Sequence, residues 1–254
     1  MGLQGKATVI SGGSAWGTLR RSKPRRAVIV CHSAGQRHTD QAQAAWWPVP
    51  RALAATGRFM CLAGDFGDPT VDLGPVSSRY SWGNDNAIES VSRAYDWLQS
   101  PSSGAKQGKV LLAATSMGAV LALNWALNWA IRYRSAVAAV ILGCPVLDLE
   151  DVYANDKGGL GPSIAAAYGV IYPRSLPEIQ THSPARYPAD LAGIPIKIYA
   201  SSDDPIASDT PFCNTWAKAV GSGGLVSVFD LGAVQHWPVS TPVKDALEFS
   251  RIFA

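Results

Sequence analysis

The sequence has few charged residues and no strong excess of either sign. Of its 254 residues 16% are charged and 47% are hydrophobic, and the formal net charge is +3. A chain of this length and composition can bury a large core, which excludes a disordered protein. The basic residues form one cluster, at 20–26, directly before an apolar run. Because a solvated basic loop before a strand is an ordinary feature, we expect no nucleic-acid partner.

Cysteine is scarce, and the cysteines that are present form no motif. They are Cys31, Cys61, Cys144 and Cys213, without the C-x-x-C spacing of zinc sites and redox motifs. The first three lie within or at the end of apolar runs, which indicates free, buried thiols. We therefore expect no metal centre.

Long hydrophobic runs are missing as well. No run reaches transmembrane length, and the residues after Met1 lack the apolar segment of a secretory signal. We therefore expect no transmembrane segment and a cytoplasmic location. The sequence has no repeat of solenoid length, and its size predicts a single domain over 1–254. No pattern in it indicates an oligomeric state.

Continuous apolar runs alternate with helical patterns along most of the chain. Such runs are typical of buried parallel strands, and the alternation is typical of βαβ units. The fold class is therefore α/β, with a mostly parallel central sheet flanked by helices. The predicted strands are 27–31, 59–63, 110–114, 136–143, 195–200 and 225–231, preceded by a hairpin of 6–10 and 16–20. The predicted helices are 50–56, 84–99, 117–131 and 242–253.

Residues 146–182 differ in character from the rest. Acidic residues are followed by a glycine-rich turn at 158–161 and then by several prolines. The segment is too short for a second domain. We expect it to be a small cap-like excursion inserted between two strands of the sheet.

The most informative stretch begins at the strand 110–114. It continues as Ala114-Thr115-Ser116-Met117-Gly118, after which apolar residues recur at helical spacing up to Ile131. A serine forced onto a sharp strand-to-helix turn is the nucleophile elbow, G-x-S-x-G, here with alanine in the first position. Alanine is small enough to let the strand and the helix approach each other.

Strand, A-x-S-x-G and helix together resemble the α/β-hydrolase family, in particular its serine esterases and lipases. The resemblance implies a catalytic triad in the chain order Ser, Asp, His, with the acid after a late strand and the histidine after the last one. Ser116, Asp204 and His236 match this order and both positions. Asp203, beside Asp204, and Asp148, after the preceding strand, are the alternatives for the acid.

The resemblance also implies an oxyanion hole of two backbone N–H groups. By position these belong to Met117, which follows the nucleophile, and to Ala34, in the loop after strand 27–31. In the family this loop usually reads His-Gly-x, whereas here Ser33 follows His32. We expect His32 to be structural and to help shape the hole.

Aromatic residues give the only hints about the substrate. Trp46, Trp47, Tyr80 and Trp82 fall in or near loops at the carboxyl edge of the predicted sheet, where open α/β folds bind ligands. They would suit an apolar acyl or aryl group of a small or lipid-like ester, or they pack in the core or under the cap.

The sequence thus predicts a carboxylic-ester hydrolase that acts through an acyl-Ser116 intermediate, without a cofactor or a metal. A thioesterase, amidase, acyltransferase or cofactor-free haloperoxidase would use the same residues. A catalytically silent hydrolase-like binding protein is the alternative from a different class, and the departures at Ala114 and Ser33 are the argument for it.

Overall fold

The structure, a computed structural model, describes residues 7–10, 25–36, 47–64, 66, 80–127, 134–173, 177–221 and 225–253. In chain order its strands and α-helices are β1 (Ala7–Ile10), β2 (Arg25–Cys31), α1 (Val49–Ala55), β3 (Phe59–Gly64), α2 (Asp85–Leu98), β4 (Ala105–Ser116), α3 (Met117–Leu127), β5 (Val137–Pro145), α4 (Leu149–Ala154), α5 (Gly161–Ala167), α6 (Pro177–Gln180), β6 (Ile196–Ala200), α7 (Thr210–Val220), β7 (Val226–Asp230) and α8 (Val243–Arg251). Several 3-10 turns lie between them.

The described strands form one sheet in the order β1-β3-β2-β4-β5-β6-β7. β1 runs antiparallel to β3, and every other neighbouring pair is parallel. This arrangement confirms the predicted fold class. The parallel strands β2, β3 and β5 are buried on both faces over most of their length, which explains why the sequence shows them as continuous apolar runs.

Helices cover the sheet on both sides. Because successive side chains of a strand point to opposite faces, Ile29 packs into the cluster with α2, α3 and α7. Its neighbours Val28 and Val30 pack into the other cluster, with α1 and α8. The sheet therefore holds the core in two layers, and the carboxyl ends of the parallel strands lie at one edge.

Two details differ from the sequence prediction, and a third prediction, the hairpin, cannot be compared because one of its strands lies outside the described residues. The prediction placed no helix between 200 and 225, yet α7 lies there. Its ends carry ordinary signals, since Asp209 caps Phe212 N and Gly221 ends the helix at φ +63°. β4 begins five residues before the predicted Val110, because residues 105 and 106 pair with the start of β2. β1 pairs with β3, and residues 16–20 of the predicted hairpin lie outside the described residues.

The segment 146–182, for which the sequence suggested a cap-like excursion, contains α4, α5 and α6 and lies between β5 and β6. One of its contacts is Trp82, which is fully buried in a cluster with residues of α4 and α5. The indole N–H of Trp82 donates to Ser163 Oγ at 3.0 Å, and Tyr168 donates to the Trp82 carbonyl at 2.7 Å.

Two features of the described residues concern membranes and metals. Each helix there is too short or too polar to span a bilayer. The same residues contain no grouping of three or more histidine, cysteine or acidic side chains that could hold a metal ion. The four cysteines are all buried and free.

Candidate active site

Ser116 is the last residue of β4 and lies on a sharp turn into α3. Its backbone has φ +50°, a left-handed conformation that costs a residue with a side chain about 1–2 kcal/mol, and the residue is 4% exposed. Such strain occurs preferentially at functional sites. Two residues on, a Cβ at Gly118 would lie 2.3 Å from the carbonyl oxygen of Cys31. Glycine is therefore required where α3 passes the end of β2.

His236 lies in the loop after β7 and reaches across to Ser116. Ser116 Oγ is 2.7 Å from His236 Nε2, and His236 Nδ1 is 2.8 Å from Asp204 Oδ2. Nδ1–H therefore donates to the carboxylate, and Nε2 accepts from the serine. The Asp204 side chain is fully buried, whereas that of His236 is 20% exposed. The structure thus brings these three predicted residues into one hydrogen-bonded chain.

Asp204 is itself held by the turn that follows β6. Its Oδ1 accepts hydrogen bonds from the backbone N–H groups of Ile206 and Ala207 at 2.9 and 2.8 Å. These donors leave Oδ2 directed at the imidazole. The turn therefore orients the carboxylate through hydrogen bonds that do not involve His236.

The two alternative acids are engaged elsewhere. Asp203 Oδ1 accepts from Ser201 Oγ and from Gln235 N, both at 2.7 Å. Both hydrogen bonds lower the pKa of Asp203, and the one from Ser201 has the larger effect. Asp148 caps α4 by accepting from Asp151 N at 3.1 Å. Burial raises the pKa of Asp148.

The predicted oxyanion-hole residues flank Ser116. Met117 is the first residue of α3, so its N–H has no acceptor within the helix. Ala34 lies in the loop after β2 and lines the same cavity as Ser116. In this loop Ser33 Oγ shares a hydrogen bond of 2.7 Å with Thr115 Oγ1, and buried His32 donates from Nδ1 to the Ser33 carbonyl at 2.8 Å.

A cavity of about 490 Å³ opens over Ser116. Its described lining consists of Ser33, Ala34, Gly35, Gln36, Trp47, Thr115, Ser116, Gly143, Cys144, Gly158, Leu160, Pro205, Ile206, Gln235, His236, Trp237 and Pro238. Gly158 and Leu160 come from the cap-like segment. Aromatic, aliphatic and proline side chains form much of the wall, which suits an apolar ligand.

The predicted aromatic residues divide between the cavity and the core. Trp47 lines the cavity and is 1% exposed. Tyr80 contacts Gly35, a residue of the cavity wall. The Tyr80 hydroxyl lies 3.1 Å from the point where a Cβ on Gly35 would be. Trp82 supports the cap instead and is not among the described residues of the lining. Trp46 lies outside the described residues.

A hydroxyl bonded to an imidazole, whose other nitrogen is held by a carboxylate, is the arrangement that activates serine as a nucleophile. A model of the alpha/beta hydrolase fold matches residues 84–224, more than half of the 254-residue chain. The chain belongs to the alpha/beta hydrolase fold family. The family predicted from the elbow is therefore confirmed.

Solved structures with the same hydrolase fold share little sequence with this chain. TT1662 from Thermus thermophilus has a TM-score of 0.64 at 14% identity, over 99% of this chain and 94% of that one. A thermophilic esterase from Thermogutta terrifontis has a TM-score of 0.63 at 15% identity, and the match covers 97% of this chain and 85% of that one. It has also been solved with propionate and with butyrate bound.

A third similar structure is a fluorophosphonate-binding serine hydrolase, FphF of Staphylococcus aureus. Its TM-score is 0.67 at 12% identity, over 98% of this chain and 92% of that one. No curated protein matches the chain in sequence.

Some residues of the hydrolase site were not predicted from the sequence. The Ser33–Thr115 hydrogen bond joins residues 82 positions apart, and Leu160 reaches the cavity from the cap-like segment. Ile206 follows Asp204 closely, so a search of the residues around the predicted acid would have found it. No local pattern identifies the other contacts.

Proposed function

We propose that this alpha/beta hydrolase is a serine hydrolase that cleaves carboxylic esters through an acyl-Ser116 intermediate. The observation that carries the proposal is the hydrogen-bonded chain from Ser116 Oγ to His236 Nε2, at 2.7 Å, and from His236 Nδ1 to Asp204 Oδ2, at 2.8 Å. A serine needs such a base within hydrogen-bond reach, because its hydroxyl is a weak nucleophile at neutral pH.

In the first half of the reaction Ser116 Oγ attacks the ester carbonyl carbon, and its proton passes to His236 Nε2. The carbonyl π electrons move onto the oxygen, where the N–H groups of Met117 and Ala34 stabilise the negative charge. The tetrahedral intermediate then collapses, the bond to the alcohol oxygen breaks, and His236 returns the proton to the leaving alkoxide. The products of this half are a free alcohol and acyl-Ser116.

The second half uses the same groups with water as the nucleophile. His236 takes a proton from the water while the water oxygen attacks the acyl carbon. His236 then gives that proton to Ser116 Oγ as the bond between Oγ and the acyl carbon breaks, which releases the carboxylic acid. Asp204 holds Nδ1–H throughout, so that Nε2 is the nitrogen free to accept, and it stabilises the imidazolium. The cycle requires no cofactor.

The cavity supports an apolar acyl or aryl group as part of the substrate. Its volume of about 490 Å³ falls within the range of sites that enclose small molecules. Leu160, Ile206 and Trp237 offer apolar surface beside the hydrogen-bonded chain. The propionate and butyrate complexes of the Thermogutta terrifontis esterase support short acyl groups as the first substrates to try.

The two departures from the family pattern do not argue for a silent protein. Ala114 is fully buried in the core, where a small side chain is accommodated. Ser33 bonds to Thr115, the residue before the nucleophile, and so ties the oxyanion loop to β4. The hydrolytic proposal therefore takes precedence over the binding-protein alternative.

A fluorophosphonate probe and a panel of p-nitrophenyl esters test the proposal. We expect rapid labelling of Ser116, hydrolysis of short-chain esters, and loss of both in Ser116→Ala. Ser92→Ala is the matched control, since Ser92 is a buried serine of α2 bonded to Trp125, and it should still be labelled. Absence of labelling in the wild-type protein, or hydrolysis by a folded Ser116→Ala variant, would refute the role of Ser116.

A further inference from the structure

Ser201 directly follows β6 and is fully buried. Its hydroxyl oxygen lies 2.7 Å from Asp203 Oδ1 and 3.1 Å from the carbonyl oxygen of Gly232, so its one proton can be donated to either acceptor. The same oxygen accepts a hydrogen bond from the N–H of Val234 at 3.3 Å. Gly232 and Val234 belong to the histidine loop, residues 231–236 after β7. One buried hydroxyl therefore joins the end of β6 to the loop that carries the catalytic base.

The start of the histidine loop is held by backbone contacts with the same segment. Leu231 and Gly232 form hydrogen bonds with the backbone of residues 200–202, at 2.8 and 3.1 Å. Beyond Gly232 the loop bonds to side chains, first to Ser201 and then to Asp203. These two side chains therefore fix the part of the loop that lies closest to the histidine.

Gln235 needs this support because its backbone is strained. It directly precedes His236 and has φ +54°, a conformation that costs a residue with a side chain about 1–2 kcal/mol. Such strain persists only where the surrounding structure holds it. The N–H of Gln235 donates to Asp203 Oδ1 at 2.7 Å, and Ser201 donates to the same oxygen at the same distance. Ser201 thereby orients the carboxylate that holds Gln235.

We propose that Ser201 is a positioning residue for His236. Its hydroxyl acts through the histidine loop and through Asp203, and it holds the loop in the conformation that places His236 Nε2 2.7 Å from Ser116 Oγ. The inference rests on the proposed ester hydrolysis, in which the base must lie within hydrogen-bond reach of the serine. A displacement of reacting groups by about 1 Å can lower a rate about 100-fold.

Ser201→Ala tests the inference, with Ser183→Ala as the matched control. Ser183 is also fully buried, and its hydroxyl accepts from the N–H of Leu149 at 3.1 Å, in α4 and not in the histidine loop. A fluorophosphonate probe, allowed to react to completion, counts the competent sites in each preparation. The kcat for p-nitrophenyl butanoate is then expressed per labelled site, so that a smaller amount of folded protein does not lower it.

We expect kcat per site to fall about tenfold or more in Ser201→Ala and to stay within about twofold of wild type in Ser183→Ala. The second measurement is the downfield proton NMR resonance of His236 Nδ1–H, identified by its loss in His236→Gln. This resonance should weaken in Ser201→Ala and persist in Ser183→Ala, because a looser loop lets the proton exchange with water. A serine that only stabilised the fold would not change it.

Asp203→Ala gives a second reading if Ser201→Ala does not fold. Asp203 is exposed, and removing its carboxylate breaks the same connection between Ser201 and Gln235. It should weaken the same resonance and lower kcat per site about threefold or more.

An unchanged resonance in Ser201→Ala, or a kcat per site within about twofold of wild type, would overturn the inference, and the same results in Asp203→Ala would do so if Ser201→Ala does not fold. In that case hydrolysis and fluorophosphonate labelling persist, and the proposed function stands. A wild-type protein that neither reacts with the probe nor hydrolyses any ester would overturn the proposed function and the inference with it.

Discussion

Asp203 and Asp204 are neighbours in the chain, yet their carboxylates contact different groups. Asp204 accepts from His236 Nδ1, whereas Asp203 accepts from the backbone of Gln235. Gln235 has φ +54°, so Asp203 fixes a strained residue next to the histidine. Asp204 therefore acts on the imidazole directly, and Asp203 acts through the loop that carries it.

The two aspartates predict unequal effects of the same substitution. Asp204→Asn should lower kcat about 10⁴-fold, because an amide at this position favours the wrong imidazole tautomer. Asp203→Asn should cost less than about tenfold, since an amide oxygen still accepts from Gln235 N. Esterase kinetics on both variants, with circular dichroism as a check on folding, decide the question. Similar losses in the two variants would contradict the assignment of the acid.

The nucleophile elbow depends on close packing between β2 and α3. At Gly118 a Cβ would lie 2.3 to 2.7 Å from backbone atoms of Cys31 and His32, which cannot move without shifting a central strand. Ala114, at the other end of the elbow, is buried in the core with a side chain already present. The two small positions of A-x-S-x-G therefore differ in how strictly they exclude a side chain.

Gly118→Ala should destabilise the protein by about 3 kcal/mol or more, at the upper end of the usual cost of overpacking. Gly57→Ala is the control, because a Cβ there meets nothing within 4 Å and only the φ of +69° is unfavourable. That conformation should cost about 1–2 kcal/mol. Urea unfolding measures both variants. If they lost equal stability, the close contact with β2 would not limit residue 118.

Glu150 of α4 forms hydrogen bonds within the cap-like segment and to the turn that follows it. Its carboxylate accepts from Arg186 Nε and Nη2 and from Gln180 Nε2. These contacts join α4 to the end of α6 and to the turn that leads towards β6. The hydrogen bonds from Arg186 have the largest effect on the pKa of Glu150 and lower it. The hydrogen bond from Gln180 lowers it further.

A lowered carboxyl pKa means that the ionised form stabilises the folded protein. The contribution is therefore complete above the ordinary glutamate pKa of about 4.3 and is lost as the pH falls through the lower folded-state value. Glu150→Gln should reduce Tm at pH 7 by no more than a few degrees, because the pair is partly exposed. The difference from wild type should shrink below about pH 4.

Thermal melts between pH 7 and pH 3 test this expectation. Glu248→Gln, on the exposed side of α8, serves as the control and should match wild type throughout. A Glu150→Gln difference that stayed constant to pH 3 would show that the carboxylate charge does not contribute.

The molecule as a whole keeps its thiols away from solvent. All four cysteines are buried and free, and burial raises the pKa of Cys31 and Cys61 to about 12. Burial also raises the pKa of Cys144 and Cys213. Because the thiolate is the reactive form, all four should be inert in the folded protein.

Iodoacetamide at pH 8 should therefore leave the native protein unmodified and the proposed esterase activity unchanged, while mass spectrometry should find four added groups on the unfolded chain. Cys144 makes this test sensitive, since it lines the cavity although it is fully buried. Modification of Cys144 in the native state would mean that the cavity opens further than the structure shows.

Most of the fold could be predicted from the sequence, because buried parallel strands and helices leave local patterns. The runs at 27–31 and 59–63 match β2 and β3 within two residues, and the elbow around Ser116 lies where its motif predicted. The choice of Ser116, Asp204 and His236 followed from the resemblance to the α/β-hydrolase family, applied to the predicted strands. α7 was missed although Asp209 and Gly221 mark its ends.

The remaining features depend on contacts between residues that are distant in the chain. Which aspartate faces His236 depends on how the turn after β6 and the loop after β7 pack together. Trp47 and Trp82 look alike in the sequence, yet one meets Gly143 at the cavity floor and the other meets Ser163 under the cap. Local periodicity specifies which side of an element is buried, but it cannot specify the neighbour, because that depends on how strands and helices pack in three dimensions.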